Sequence, residues 1–286
     1  MRSMPSFGAK LLVAFDAASV SGALVSWGLG GLRLRSVARV PLADGALVPS
    51  PLEDNLVRVE EVRDALVSVR SSLRTNGRRA ALILPDGLAR TQLLEVPRGV
   101  PLLEYARYRM AQGLPYPATE AVIDALDLGG HRFLCAAVRR AVIEPYEAVA
   151  ASAGFSQDRV ELAPLAAVTG LRRLLHGGDS TVDVILGDAA ISLVASHGRE
   201  LRVFRSRRRD RGPDEARWLH EEVDRTSALS GGSAPSRVRV VGAGAPAVVR
   251  DLESLGLRVE PGWPVSDGAE LPVQAVELAW LGAALE

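Results

Sequence analysis

The sequence predicts an α/β protein of two duplicated halves, with a small α+β subdomain set into the first. Three observations predict it. Strand patterns followed by a helix and then a buried apolar run occur in both parts of the chain, which marks layered α/β domains. "FDAASVSGALVS" at 15–26 is echoed, with a two-residue gap, by "LGDAAISLVAS" at 186–196, and each opens one of those parts. Between them, residues 88–155 follow a strand-helix-strand-strand-helix order of their own. The boundaries expected are 1–87 plus 156–179 for the first half, 88–155 for the insertion and 180–286 for the second half. A duplicated architecture of this kind places a cleft between its halves.

The elements follow in order. Residues 10–27 run into Asp16, turn through small residues and resume, and 32–42 form a further strand beyond the turn signal "GLGG". Val59, Val62, Leu66, Val69 and Leu73 recur at spacings of three and four, which predicts an amphipathic helix over 59–73. "RAALILP" is a buried strand stopped by Pro85. In the insertion, "RTQLLEVP" reads as an edge strand, and Leu103, Ala106, Met110 and Leu114 mark a helix ending before "PYP". "AVIDALDL" and "RFLCAAVRR" form a hairpin, and a helix is expected to open at Glu144-Pro145 and close at Gly154. The second half reads as a strand pair from Ser180, a helix over 214–229, the buried strand "RVRVVGAGA", a helix to Leu255, the short strand "LRVEP" and a closing helix over 272–285.

Composition narrows the function. The 286 residues are 48% hydrophobic and 24% charged with zero formal net charge, so no global field recruits nucleic acid. Lys10 is the one lysine, which leaves no second lysine as nucleophile or phosphate clamp. The lone Cys135 builds neither a disulfide nor a thiolate metal site. No apolar run reaches transmembrane length and no cleavable signal is evident, so a cytoplasmic protein is expected. His131, His176, His197 and His220 are scattered without metal spacing, and no serine sits in a nucleophile elbow. Asp124 and Asp127 read as a solvated edge. No catalytic residue and no metal ligand is nominated. "VVGAGAP" lacks the third glycine of a dinucleotide fingerprint.

The residues that carry chemistry are those of the two echoed turns. A strand ending in an acid and turning through glycine can grip phosphate, because a Cβ blocks close backbone approach to its oxygens. In the first turn, Asp16-Ala17-Ala18 followed by Ser19 keeps the acid without the glycine. In the second, either Asp183-Val184-Ile185 or Asp188-Ala189-Ala190 takes the corresponding place, and neither ends in glycine.

The chain resembles the actin-like ATPase superfamily, with its duplicated ribonuclease H-like fold, and within it the PilM family of pilus assembly proteins and the related GspL-type secretion subunits. The resemblance runs through "LLVAFDAASVSGALV", "ALILPDGLARTQLLEVP", "LPYPATEAVIDA", "CAAVRRAVIEPYEAVAASAGF", "RVRVVGAGA" and "LAWLGAALE", in that order. It implies a nucleotide site formed by two acid-x-Gly turns, a lysine after the first and glycines near the adenosine. Against that pattern, the lysine position falls on Ala23, and a downstream Gly-Gly reads Gly212-Pro213, where proline has no N–H to donate. Gly242 and Gly244 alone match the adenosine glycines. The resemblance therefore implies a degenerate nucleotide site, comprising Asp16, Ala18, Ser19, Asp183, Asp188, Gly242 and Gly244, with no required cofactor. ATP with magnesium is the alternative, since Asp16 can hold magnesium through water.

It also implies a function: a cytoplasmic scaffold of a type IV pilus or type II secretion platform at the inner face of the inner membrane. Such a scaffold holds the cytoplasmic tail of a PilN-like inner-membrane partner in a channel beside the inserted subdomain, and contacts other platform subunits. Tyr105, Tyr108, Leu114 and Tyr116 are the candidate partner-binding residues, three of the chain's four tyrosines. The arginine-rich stretch "RVFRSRRRDRG" at 202–212 is either a solvated turn or an anionic contact through Arg205, Arg207, Arg208 and Arg209, with peripheral membrane association as one form of it. It lacks aromatics for base stacking apart from Phe204, so nucleic acid is not expected. The competing classes are an ATP-driven switch or phosphotransferase, and a filament-forming actin homologue.

Overall fold

The computed structural model describes residues 10–28, 31–174, 180–231, 235, 237–242 and 244–261. The chain divides into two compact units, one of residues 1–88, 140–171 and 276–286, the other of 89–139 and 172–275. The closing helix expected at 272–285 lies outside the described residues.

In the first unit, β1 (Lys10–Asp16), β2 (Ser19–Gly28), β3 (Gly31–Pro41), β4 (Arg79–Leu84) and β8 (Ser156–Leu162) form one sheet in the order β3-β2-β1-β4-β8. The three N-terminal strands are antiparallel, and β4 and β8 add in parallel. Helix α1 (Val59–Leu73) covers one face with Val62, Leu66, Val69 and Leu73, as the spacing predicts, while Val59 at its first position is exposed. Gly22 lets it lie close: a Cβ there would meet Val69 Cγ1 at 2.6 Å and Leu73 Cδ1 at 2.9 Å. On the other face, Ala166 of α4 (Ala163–Leu174) packs among Leu12, Ala14, Ala23, Val25, Ala81 and Ile83.

Helix α3 (Arg140–Ser152) starts four residues before the expected Glu144, because β7 (Arg132–Arg139) runs into it without a loop. Pro145 therefore lies inside the helix rather than at its start. The end is as expected: Gly154 at φ +86° closes it, with Phe155 N–H donating to Ala150 O and Gly154 N–H to Ala151 O. α3 packs on α1 and β8. In the division into compact units this helix falls in the first unit, whereas the expected insertion included it.

The second unit holds a three-stranded sheet of β5 (Arg90–Glu95), β7 and β6 (Ala121–Gly129), in the order β5-β7-β6, covered by α2 (Leu102–Ala111). It also holds β9 (Ser180–Leu186), β10 (Ala190–His197), β11 (Glu200–Arg208), β12 (Arg237–Gly242) and β13 (Val259–Pro261), in the order β11-β10-β9-β12-β13. Arg132 joins the two sheets, donating to Leu201 O at 2.8 Å and Glu200 Oε1 at 2.5 Å. Helices α5 (Glu215–Leu229) and α6 (Ala245–Ser254) pack Leu219, Val223, Val248, Val249 and Leu252 on the larger sheet.

The two five-stranded sheets have one topology. Each begins with three antiparallel strands, continues through a helix to a parallel strand beside the first, and adds a parallel edge strand after another helix. The repeat read at 15–26 and 186–196 marks equivalent hairpins.

Candidate functional site

The first turn joins β1 to β2. Asp16 pairs with Ser19, so the hairpin closes over Ala17 and Ala18 alone. Neither alanine has a positive φ, so this turn does not call for glycine. Asp16 Oδ1 accepts the N–H of its neighbour Ala17 at 2.8 Å, and Ala18 O accepts the N–H of Leu42 at 2.9 Å. Ser19 is buried and accepts Arg39 Nε at 2.9 Å. Beneath the turn, Phe15 meets Tyr146 edge-on with ring centroids 5.1 Å apart, and the Tyr146 hydroxyl donates to buried Asn55 Oδ1 at 3.1 Å. Burial, and then the charge of Asp16, push the ionisation of Tyr146 far above the ordinary tyrosine value. Ala23 is wholly buried in the core against α4.

At the second turn the two alternatives differ in placement. Asp188 lies in the β9–β10 turn, as Asp16 lies at the end of β1, whereas Asp183 sits in mid-strand opposite Arg239 of β12. There it forms a buried fork, Arg239 Nε donating to Oδ1 at 2.5 Å and Nη2 to Oδ2 at 3.0 Å. Burial holds the Asp183 carboxyl above the usual carboxylate range, with Arg239 pulling it back. Asp183 is thus engaged in a buried ion pair within the sheet.

Asp188 is itself engaged. Arg211 Nη2 donates to its Oδ1 at 2.6 Å. Beside it, Arg209 donates through Nη1 to Gly187 O at 2.7 Å and through Nε to Glu215 Oε1 at 2.6 Å. The Arg209 side chain is 4% exposed. Its Nη2 lies 3.7 Å from where a Cβ of Gly244 would be, so its head reaches the start of α6. Gly242 and Gly244 have φ of +118° and +80°. At Gly242 a Cβ would fall 2.1 Å from Leu186 O, so strand packing demands this glycine.

Residues 202–208 of the arginine stretch lie in β11, and 209–212 follow it as irregular chain. Of its four candidate contacts, two are consumed internally. Arg205 Nη2 pairs with Glu222 Oε2 at 2.8 Å and its Nη1 donates to Thr226 Oγ1 at 2.9 Å, while Arg209 is buried as above. Arg207 reaches Glu222 at 3.7 Å and stays half-exposed, and Arg208 is exposed. The cause is β-alternation: Arg205 and Arg207 pair with Leu193 and Ile191, whose side chains face α5, so both turn toward Glu222.

The four candidate partner residues do not share one exposed surface. Tyr116 is 8% exposed, and Leu114 and Tyr105 pack against the same core of Leu94, Ala106, Met110 and Cys135. Arg109 lies 5.8 Å above the Tyr105 ring and donates to its hydroxyl at 3.3 Å. Burial raises the Tyr116 hydroxyl's pKa, Arg139 opposing and Glu120 adding to the shift. Tyr108 alone projects, 70% exposed on α2, with half-exposed Leu103 on the same helix.

Cys135 is fully buried in that core, and burial, then Asp124, push its thiol up to about 11. The native protein is therefore expected not to react with a disulfide reagent at pH 8 and to react at once in denaturant. Rapid labelling of the native state would contradict this placement. Among the described residues no three His, Cys, Asp or Glu gather where they could hold a metal ion, and no helix is long and apolar enough to cross a membrane. Residues that mattered but carried no sequence signal are Tyr146, Glu222, Arg225 and Arg239.

No family model matches the chain, and no curated protein matches it in sequence. Solved structures do. A chain of the PilM–PilN type IV pilus biogenesis complex is 19% identical, with a TM-score of 0.76 over 96% of this chain and 99% of that one. The cytoplasmic domain of EpsL, an inner-membrane component of the type II secretion system of Vibrio cholerae, is 12% identical, with a TM-score of 0.59 over 98% and 96%. A Bacteroides thetaiotaomicron protein of unknown function is 11% identical, with a TM-score of 0.62 over 98% of each chain. Its fold is described as that of the actin-like ATPases, and together these likenesses give this chain the actin-like ATPase fold.

Proposed function

We propose that this protein is a non-catalytic scaffold of a type IV pilus or type II secretion platform, working in the cytoplasm at the inner membrane and binding the tail of a PilN-like membrane partner. The observation that carries the first part is the pair of arginines at the second turn. A Mg–nucleotide needs open carboxylates for the metal and open amides for phosphate. Here Arg211 pairs with Asp188, and Arg209, paired with Glu215, reaches the start of α6. The first turn lacks both the glycine and the lysine cation. The likeness to a chain of a pilus complex and to the EpsL cytoplasmic domain supports the choice of machine. Tyr108, a large amphipathic ring free on the surface of α2, is the candidate anchor for the partner.

A second reading, a Mg–ATP switch, has one observation in its favour. Asp188 Oδ2 is buried without a hydrogen-bond partner among the described residues, and a hydrated magnesium ion would satisfy it. Calorimetric titration with Mg–ATP separates the two. The scaffold predicts no heat and no thermal shift at millimolar nucleotide. Micromolar binding abolished by Asp16→Ala or Asp188→Asn would establish the switch instead. On the scaffold reading, the synthetic tail of a PilN-like protein binds the wild type and binds Tyr108→Ala at least tenfold more weakly.

A further inference from the structure

Glu222 lies on α5 with its side chain 3% exposed, and three guanidinium groups converge on it. Arg225 Nη1 donates to Oε1 at 2.7 Å, while Arg205 Nη2 lies 2.8 Å and Arg207 Nε 3.7 Å from Oε2, ion-pair contacts that leave this oxygen without a hydrogen bond among the described residues. Arg205 is fixed further by Thr226, whose hydroxyl hydrogen goes to Glu222 O at 2.6 Å. One carboxylate thus gathers three cations and leaves two positive charges unmatched within the cluster. Like charges held this close repel, and the repulsion is relieved when an anion joins them. Arg207 and Arg225 are half-exposed, and neither has a second carboxylate within ion-pair reach among the described residues. Of the neighbouring acids on α5, Asp224 pairs with His220 at 3.3 Å, and Glu221 comes within ion-pair distance of neither arginine.

We infer that Arg207 and Arg225, gathered by Glu222 and backed by Arg205, form a binding site for a phosphate monoester dianion. Charge decides the class. A carboxylate or a phosphodiester carries one negative charge, whereas a phosphate monoester carries about −1.5 to −2 at neutral pH and so matches the two unmatched cations. Geometry agrees, because guanidinium forks bind phosphate oxygens through paired N–H donors. Arg225 was not part of the arginine stretch singled out in the sequence; α5 brings it there. The site stands apart from the proposed scaffold function and does not depend on it.

The test uses the whole protein and inorganic phosphate. Titration at fixed ionic strength should give saturable binding and a rise in Tm, with acetate and chloride giving neither. Arg207→Ala and Arg225→Ala should each weaken phosphate binding roughly tenfold, the loss expected for one charge-assisted contact, and the double variant should abolish it. Arg205 still pairs with Glu222 in these variants, so the fold is kept. Arg207→Lys with Arg225→Lys retains charge without the forks and should bind intermediately. A response to phosphate no greater than to chloride, or one that survives the double variant, overturns the inference. Vesicles containing phosphatidic acid distinguish the source. Co-sedimentation with them, lost in the double variant, assigns a lipid monoester, and a phosphate response without co-sedimentation assigns a soluble one.

Discussion

Asp183→Ala is expected to lower the unfolding free energy by about 3–5 kcal/mol, the range for breaking a buried ion pair and leaving its partner charged and alone. Asp183 is 1% exposed and Arg239 is nearly as buried, with two hydrogen bonds between them across neighbouring strands. Urea denaturation should show a lower midpoint with an unchanged slope. The control is Asp183→Leu with Arg239→Met, which removes both charges and should recover most of the loss. A single variant as stable as the wild type would mean that the pair is not formed. The pH dependence has a definite sign. Because burial outweighs Arg239 and raises the folded carboxyl's pKa above the unfolded one, the native state binds the extra proton. This contribution is complete below about pH 4, the unfolded value, and is lost as pH rises through the raised value. Wild-type stability measured relative to the double variant should therefore fall as pH increases from there.

That pair also marks the limit of what local sequence can say. Asp183 and Arg239 are 56 residues apart, and only the β9–β12 register sets them opposite one another. Read alone, Asp183 is as good a phosphate-turn acid as Asp188. By contrast, α1 and the strands β1, β2, β4 and β12 were legible because each is a periodic or continuous apolar segment whose burial is decided locally. β8 and α4 were not recognised. "SQDRVEL" is a half-exposed edge strand rich in charge, and α4 buries small alanines that leave a faint pattern. Pro145 misled because proline is commonest in a helix's first turn, while here β7 leads directly into α3. Among the arginines, alternation along β11 and a carboxylate on α5 decide which are buried, and neither is visible in a run of like residues. The echo of the two turns was legible and led to equivalent hairpins, but the side chains closing the second come from β11's end and α5's beginning.

Gly242→Ala is expected to destabilise the protein by several kcal/mol whether or not a nucleotide ever binds. Two effects combine: a side chain forced to φ +118° costs about 1–3 kcal/mol, and overpacking adds a comparable amount. The clash is with Leu186 O at 2.1 Å, a backbone atom of the strand registered with Gly242, so it cannot be relieved by rotating a side chain. Thermal denaturation should show a Tm lower by ten degrees or more, on the order of 3 kcal/mol for a chain of this size. This bears directly on function, because Gly242 is one of two glycines that match a nucleotide-binding pattern. If strand packing alone retains it, its presence says nothing about a ligand. The discriminating control is Gly244→Ala, whose Cβ would come no closer than 3.7 Å to Arg209 Nη2. Gly244 should show only the smaller strain of its left-handed conformation, about 1–2 kcal/mol. Equal losses at the two positions would contradict the packing account of Gly242, and a Gly242→Ala protein of wild-type stability would remove it altogether.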